Sequence, residues 1–251
     1  MKNILEVSNL FYSYGKIQIL KNINFSLNDS EKLIIIGRNG CGKSTLLKCL
    51  CNFLDYKGSI KINGIEIKNM KSKELAQNIT MLNQNEIINF DFKVKDVVEF
   101  GRYAYSNFCK KENEKIINES LLKLNILDLK NCYMSELSGG EKQKVLISRV
   151  IAQDSKIVLL DEPNNNLDFN FYINMIDNID IWFKNKIVIS AIHDLNLVSI
   201  LNNKVMAIKE NEIYKIGYFN NDFNSKILKS IYDFDVENFM LSSLKKWESR
   251  N

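Results

Sequence analysis

The stretch Gly37-Arg38-Asn39-Gly40-Cys41-Gly42-Lys43-Ser44-Thr45 fits the spacing G-x-x-x-x-G-K-[ST], directly after an apolar run and directly before a helical pattern. A glycine-rich turn in that context lets successive backbone N–H groups curl round a β-phosphate. A lysine behind it reaches the β and γ oxygens, and a Ser or Thr hydroxyl meets Mg²⁺. Lys43 and Ser44 hold the last two positions, and Gly37, Asn39, Gly40, Gly42 and Thr45 complete the candidate phosphate-binding set. A plain glycine-rich turn before a helix has the same composition; the strand, loop and helix in register favour the phosphate reading.

A second group of acids has complementary chemistry. The run Lys156 to Pro163, KIVLLDEP, delivers Asp161 and Glu162 to the carboxyl end of a short apolar strand. There Asp161 can support a metal ion, and Glu162 is placed as a candidate base for an attacking water. Two acids ending a strand also suit a helix N-cap or a surface turn. Leu137 to Lys144, LSGGEKQK, opens a helix with two glycines in its first turn, each unfavourable by about 1 kcal/mol relative to alanine. Ser138 and Glu141 have the spacing of a capping box, so the helix start is otherwise well made. Bare Gly139 and Gly140 leave the N–H groups of that turn open to an anion, which the helix dipole favours. An ordinary loop-to-helix turn is the competing reading.

The elements that must position these residues are short. Strands are predicted over Ile4 to Tyr12, Asn22 to Leu27 and Lys32 to Gly37, and a helix follows from Lys43 with Leu46, Leu47 and Leu50 at helical spacing. Ser59 to Ile67 reads as a hairpin around Asn63-Gly64. The middle, about Val94 to Leu129, is predicted helical, with Ile116, Ile117, Ser120, Leu121 and Leu124 on one face. Lys156 to Pro163 and Lys186 to His193 are unbroken apolar runs of the kind buried on both faces of a parallel sheet. A helix containing Ile173, Ile176 and Ile179 lies between them, Lys204 to Gly217 is a predicted hairpin, and the last thirty or so residues form a helical appendage.

The 251 residues suit a single large domain, and a net charge of +4 with acids and bases interleaved does not indicate nucleic acid. No apolar run approaches a membrane span, and the amino-terminal residues lack a signal-like core, so a cytosolic chain is expected. The five cysteines, Cys41, Cys49, Cys51, Cys109 and Cys132, have no zinc spacing and are read as reduced thiols.

The order of these pieces carries a resemblance. A phosphate loop, LSGGE, an apolar strand ending in Asp-Glu-Pro, Asn166-Leu167-Asp168 and a strand ending in His193 together resemble the nucleotide-binding subunit of an ABC transporter over almost the whole chain. The resemblance implies an α/β cassette with a RecA-like core, an antiparallel β subdomain and a helical subdomain inserted at about residues 86–153. It also implies ATP and Mg²⁺, and a head-to-tail dimer in which Ser138, Gly139 and Gly140 touch the γ-phosphate of nucleotide held by a partner chain. Gln84 then matches the glutamine that senses Mg²⁺ and the attacking water, and His193, the one histidine of the chain, matches the switch histidine. Tyr14 matches the aromatic that stacks on adenine, with Tyr12 as its rival. Asp168 matches an acid reaching across the dimer, a position that also suits a cap for the helix near Phe169. Asn164 stands where the family usually has Thr, Glu141 where many members have Gln, and Asn203 where Asp is common.

Phe90 to Ser106, His193 to Val198 and Ser230 to Glu237 resemble the branch serving importers of iron-siderophore, haem and cobalamin chelates. The implied partners are integral-membrane permease subunits, a second copy of the chain and, indirectly, an extracytoplasmic substrate-binding protein, which would place the chain on the inner face of the membrane. A zinc or manganese importer or an exporter cassette is the alternative. A chromosome-maintenance ATPase would need sustained heptads between Ser44 and Leu137, which are missing, and soluble members usually carry two cassettes.

Overall fold

The computed structural model describes residues 4–84, 91–105, 110–163 and 169–248. Strands β1 (Leu5–Tyr14), β2 (Ile17–Leu27), β4 (Lys57–Ile62) and β5 (Ile65–Glu66) form an antiparallel sheet in the order β2-β1-β4-β5. The β4–β5 turn is Asn63-Gly64, with φ of 53° and 82°, the left-handed pair that a two-residue hairpin of this type requires. Strands β1 and β2 are longer than predicted and meet in a second two-residue turn, Gly15-Lys16, which pairs Tyr14 with Ile17. Exposed residues at the start of β2 hide the alternation that would have revealed it.

The second sheet runs β10-β9-β3-β8-β7-β6, built from β3 (Lys32–Ile36), β6 (Ile79–Leu82), β7 (Ile157–Asp161), β8 (Ile187–Ala191), β9 (Lys204–Lys209) and β10 (Glu212–Tyr218). All neighbours are parallel except β9 and β10. Strand β6 was not foreseen; four residues are too short to display a period. The apolar runs are explained by burial on both faces. Leu33, Ile35, Ile157 and Leu159 join one core, with the antiparallel sheet and α1 (Lys43–Leu50). Ile34, Ile36, Val158 and Leu160 join the other, with the remaining helices.

Between β6 and β7 the chain forms α2's successors in sequence: after α2 (Ser72–Asn78) and β6 come α3 (Val94–Phe100), α4 (Lys110–Lys123) and α5 (Gly139–Gln153). The single helical run expected over Val94 to Leu129 is thus divided, with α3 capped at Gly101 and a 3-10 turn over Leu127–Asn131. Ile117, Ser120, Leu121 and Leu124 of the predicted face are buried, with Ile116 packed partly buried beside them. Helices α6 (Phe169–Trp182) and α7 (Leu195–Leu201) follow β7 and β8, and α8 (Phe219–Asp222), α9 (Ser225–Tyr232) and α10 (Val236–Glu248) end the chain. In α6, Met175 and Ile179 are buried while Ile173 faces outward.

Candidate functional site

The loop after β3 is shaped by two glycines. Gly42 has φ +105°, and a Cβ there would lie 2.8 Å from the Ile19 carbonyl oxygen and 2.9 Å from Leu20 Cδ2, so only glycine lets the loop rest on β2 before α1 begins. Gly37, φ +147°, is pressed against the Ile208 carbonyl and Cys41 Sγ. From this loop Lys43, 5% exposed, donates through Nζ to the carbonyl oxygens of Gly37 (2.8 Å) and Arg38 (3.1 Å). Burial pulls its pKa below the usual value, while Cys41, Glu162 and Asp161 act the other way.

A cleft of about 630 Å³ opens over the loop, lined by Tyr14, Ile19, Asn39, Gly40, Gly42, Lys43, Ser44, Thr45, Gln84, Glu162 and His193. Most of the predicted set is therefore brought together. Gly37 and Asp161 stand just behind it, touching Lys43 and Ser44. Tyr14, at the end of β1 and 47% exposed, lines the cleft; Tyr12 meets it edge-on at 4.9 Å and packs against the core instead. Ile19 was missed, because the turn that brings β2 back to the loop was missed; the exposed Gly-Lys pair after Tyr14 was its signal.

Strand parity places Asp161. It shares a face with Ile157 and Leu159, the face covered by α1, so its carboxylate meets the first turn of that helix and accepts the Ser44 hydroxyl at 3.0 Å. At 3% exposure, burial pushes its pKa up, the Ser44 hydrogen bond pulls it down, and Glu162 pushes it up again. An oxygen-only pair at the mouth of a phosphate loop suits Mg²⁺, which takes one or two protein oxygens and completes its shell with phosphate and water. Among the described residues there is no group of three or more His, Cys, Asp or Glu that could hold a metal by protein ligands alone.

Glu162 leaves the strand with φ +52°, a left-handed conformation that a glutamate rarely takes, while its N–H donates to the Ala191 carbonyl at 3.1 Å. This turn aims its carboxylate into the cleft, where Gln84 Nε2 donates to one oxygen and His193 Nε2 meets the other. Two predicted side chains from separate segments therefore converge on the carboxylate of a third.

The glycine turn of α5 lies elsewhere. Ser138 caps the helix: its N–H and hydroxyl donate to Glu141 Oε2 at 2.8 and 2.7 Å, and the Glu141 N–H donates to Ser138 Oγ at 3.3 Å. These hydrogen bonds hold the Glu141 carboxyl below its ordinary pKa. Ser138 and Gly139 are exposed, Gly140 is half-buried, and none of the three lines the cleft of its own chain. A Cβ on Gly139 would meet nothing within 4 Å. Asp168 and Asn164 lie outside the described residues.

Residues 20–165 match the family model described as ABC transporter. The chain is 33% identical over 237 residues to the petrobactin import ATP-binding protein YclP of Bacillus subtilis, covering 93% of this chain and 94% of that one. It is 31% identical over 229 residues to the ferric enterobactin transport ATP-binding protein FepC of Escherichia coli, covering 89% and 84%. A solved candidate metal-chelate type transporter in an inward-facing conformation superimposes with a TM-score of 0.77 at 29% identity, covering 92% of this chain and 89% of that one.

Proposed function

Because the chain belongs to the ABC transporter family, as an ATPase subunit of an importer, we propose that it powers uptake of a metal chelate: an iron-siderophore, haem or cobalamin. The observation that carries the catalytic reading is the convergence of Gln84 and His193 on Glu162 beside the phosphate loop. The names of the relatives, which concern petrobactin and ferric enterobactin, support the substrate class.

In this reading the loop N–H groups and Lys43 bind the β- and γ-phosphates, and Tyr14 with Ile19 offers the apolar wall for the base. Glu162 accepts a proton from the attacking water, and Gln84 and His193 hold its carboxylate in place while they orient that water. Ser44 and Asp161 would hold Mg²⁺, with Gln84 beside them; bound there, the ion supplies neutralising charge to the phosphate oxygens. Ser138, Gly139 and Gly140, none of which lines the cleft of its own chain, are assigned to the γ-phosphate of a second copy, and Asp168 to the same dimer interface. Closure of two copies on two ATP, followed by hydrolysis and reopening, then moves the membrane subunits between inward- and outward-facing states.

No helix among the described residues is long and apolar enough to cross a membrane, and we assign the pathway to permease subunits. A cavity of about 440 Å³ is bounded by Phe53, Leu75, Met81, Arg149 and Asn83, the residue before Gln84, and Phe53 there is 65% exposed. We assign this region and neighbouring α3 to a permease helix, which would place the chain on the inner face of the membrane. An extracytoplasmic binding protein would act only through that permease.

Co-purification with the permease and transport in vesicles loaded with ATP test the whole reading. ATP-dependent uptake of a ferric siderophore, haem or cobalamin is expected. Uptake of none of these, with uptake of zinc or manganese instead, would replace the substrate class while leaving the ATPase.

A further inference from the structure

The carboxyl end of α9, within the Ser230 to Glu237 stretch, reaches the phosphate loop. Arg38 donates to Asp233 Oδ2 at 2.5 Å. Asp233 is also approached by Lys209 Nζ at 3.5 Å, and the same ammonium donates to the Ser230 carbonyl at 2.6 Å. The backbone turns at Asp233 with φ 53°, directly after Tyr232, whose buried hydroxyl faces the backbone of Gly37. Leu228 and Ile231 anchor α9 in the core, so this end of the helix is a fixed point.

Gly37 and Arg38 are also the two residues whose carbonyl oxygens hold the Lys43 ammonium. The chain of contact is therefore continuous from the α9 terminus, through the Arg38 side chain and backbone, to Lys43. We propose that Asp233 is a positioning residue: by pairing with Arg38 it fixes the first turn of the phosphate loop, and with it Lys43, in the geometry that binds nucleotide. The inference rests on the nucleotide-binding role given to that loop above. The Arg38 and Asp233 side chains are 59% and 56% exposed, so the effect is that of an exposed ion pair, severalfold at most and sensitive to salt.

Asp233→Asn is the appropriate variant, since asparagine tolerates the left-handed turn and only the charge is lost. Titration of the full chain with fluorescently labelled ATP and Mg²⁺ at low salt should show affinity about three- to fivefold weaker than wild type. The difference should vanish in 1 M NaCl, and in hydrolysis assays the loss should fall on KM and not on kcat. Arg38→Gln should reproduce it, and the double variant should be no weaker than either single one, a coupling that general loss of structure does not produce. Should Asp233→Asn fail to fold, Arg38→Gln deletes the same pair from the other side. Unchanged affinity in both variants, or tighter binding in Asp233→Asn, would overturn the proposal. A wild-type chain that binds no nucleotide, or a Lys43→Ala chain that binds as well as wild type, would instead overturn the functional reading.

Discussion

The Ser44 hydroxyl donates to the Asp161 carboxylate at 3.0 Å, although 117 positions separate the two residues. The parallel sheet brings β7 beneath the first turn of α1, so a buried acid and a hydroxyl meet where a cation would be held. That burial is unfavourable to the ionised acid, whose folded pKa is raised. Such a group imposes no penalty below the unfolded value near 3.8 and its full penalty above the folded one. Asp161→Asn is therefore expected to melt at a higher temperature than wild type near pH 7 without nucleotide, with the gain fading as pH falls toward 4. The same variant should lose the Mg²⁺-dependent part of ATP affinity. Thermal melts across that pH range with and without MgATP check both; an Asn variant less stable at every pH would contradict the account.

The phosphate loop was legible because its residues are contiguous and its strand, turn and helix follow one another. Asp161 was legible because an apolar strand must end somewhere, and parity then assigns its face. Ile19 was not, since its place depends on a Gly15-Lys16 turn flanked by exposed residues, where no alternation marks the strand. Strand β6 is too short to carry a period. At the end of α3 a Cβ on Gly101 would lie 2.5 Å from the Arg149 carbonyl on α5, a close approach that only the folded chain reveals. The Arg38–Asp233 pair joins residues 195 apart, each unremarkable where it stands.

Glu162 lies one residue beyond Asp161 yet serves a different purpose, because its left-handed turn carries the carboxylate to Gln84 and His193. Glu162→Gln preserves the shape and leaves an oxygen for one of these donors, but removes the base. ATP binding should persist within a fewfold of wild type while turnover falls by roughly 10²–10⁴. Equilibrium binding and phosphate release on the same preparation check this, and near-normal hydrolysis would remove Glu162 from the role of base.

Burial decides the reactivity of the cysteines. Cys49 and Cys51 are 0% and 5% exposed, and their thiols are pushed up to about 12, so neither supplies thiolate at neutral pH. Alkylation with iodoacetamide at pH 8, read by peptide mass spectrometry, should leave both unmodified in the native chain and label both in denaturant. Labelling of either at the rate of a free thiol under native conditions would show that this core opens readily.

Gly139 offers the clearest separation of stability from activity. Its position in the first turn of α5 is open, so no contact within the chain demands glycine there. An acid in a helix's first turn interacts favourably with the dipole, and any residue but proline improves on glycine in helical propensity. Gly139→Asp should therefore fold at least as well as wild type, keep the nucleotide affinity of the single chain, and lose ATPase activity by at least about tenfold, as a carboxylate would face the phosphate of a partner. Melting temperature, nucleotide titration and hydrolysis measured together test this. Full activity in a well-folded Gly139→Asp protein would mean that the turn meets no phosphate, and the two-chain site would have to be given up.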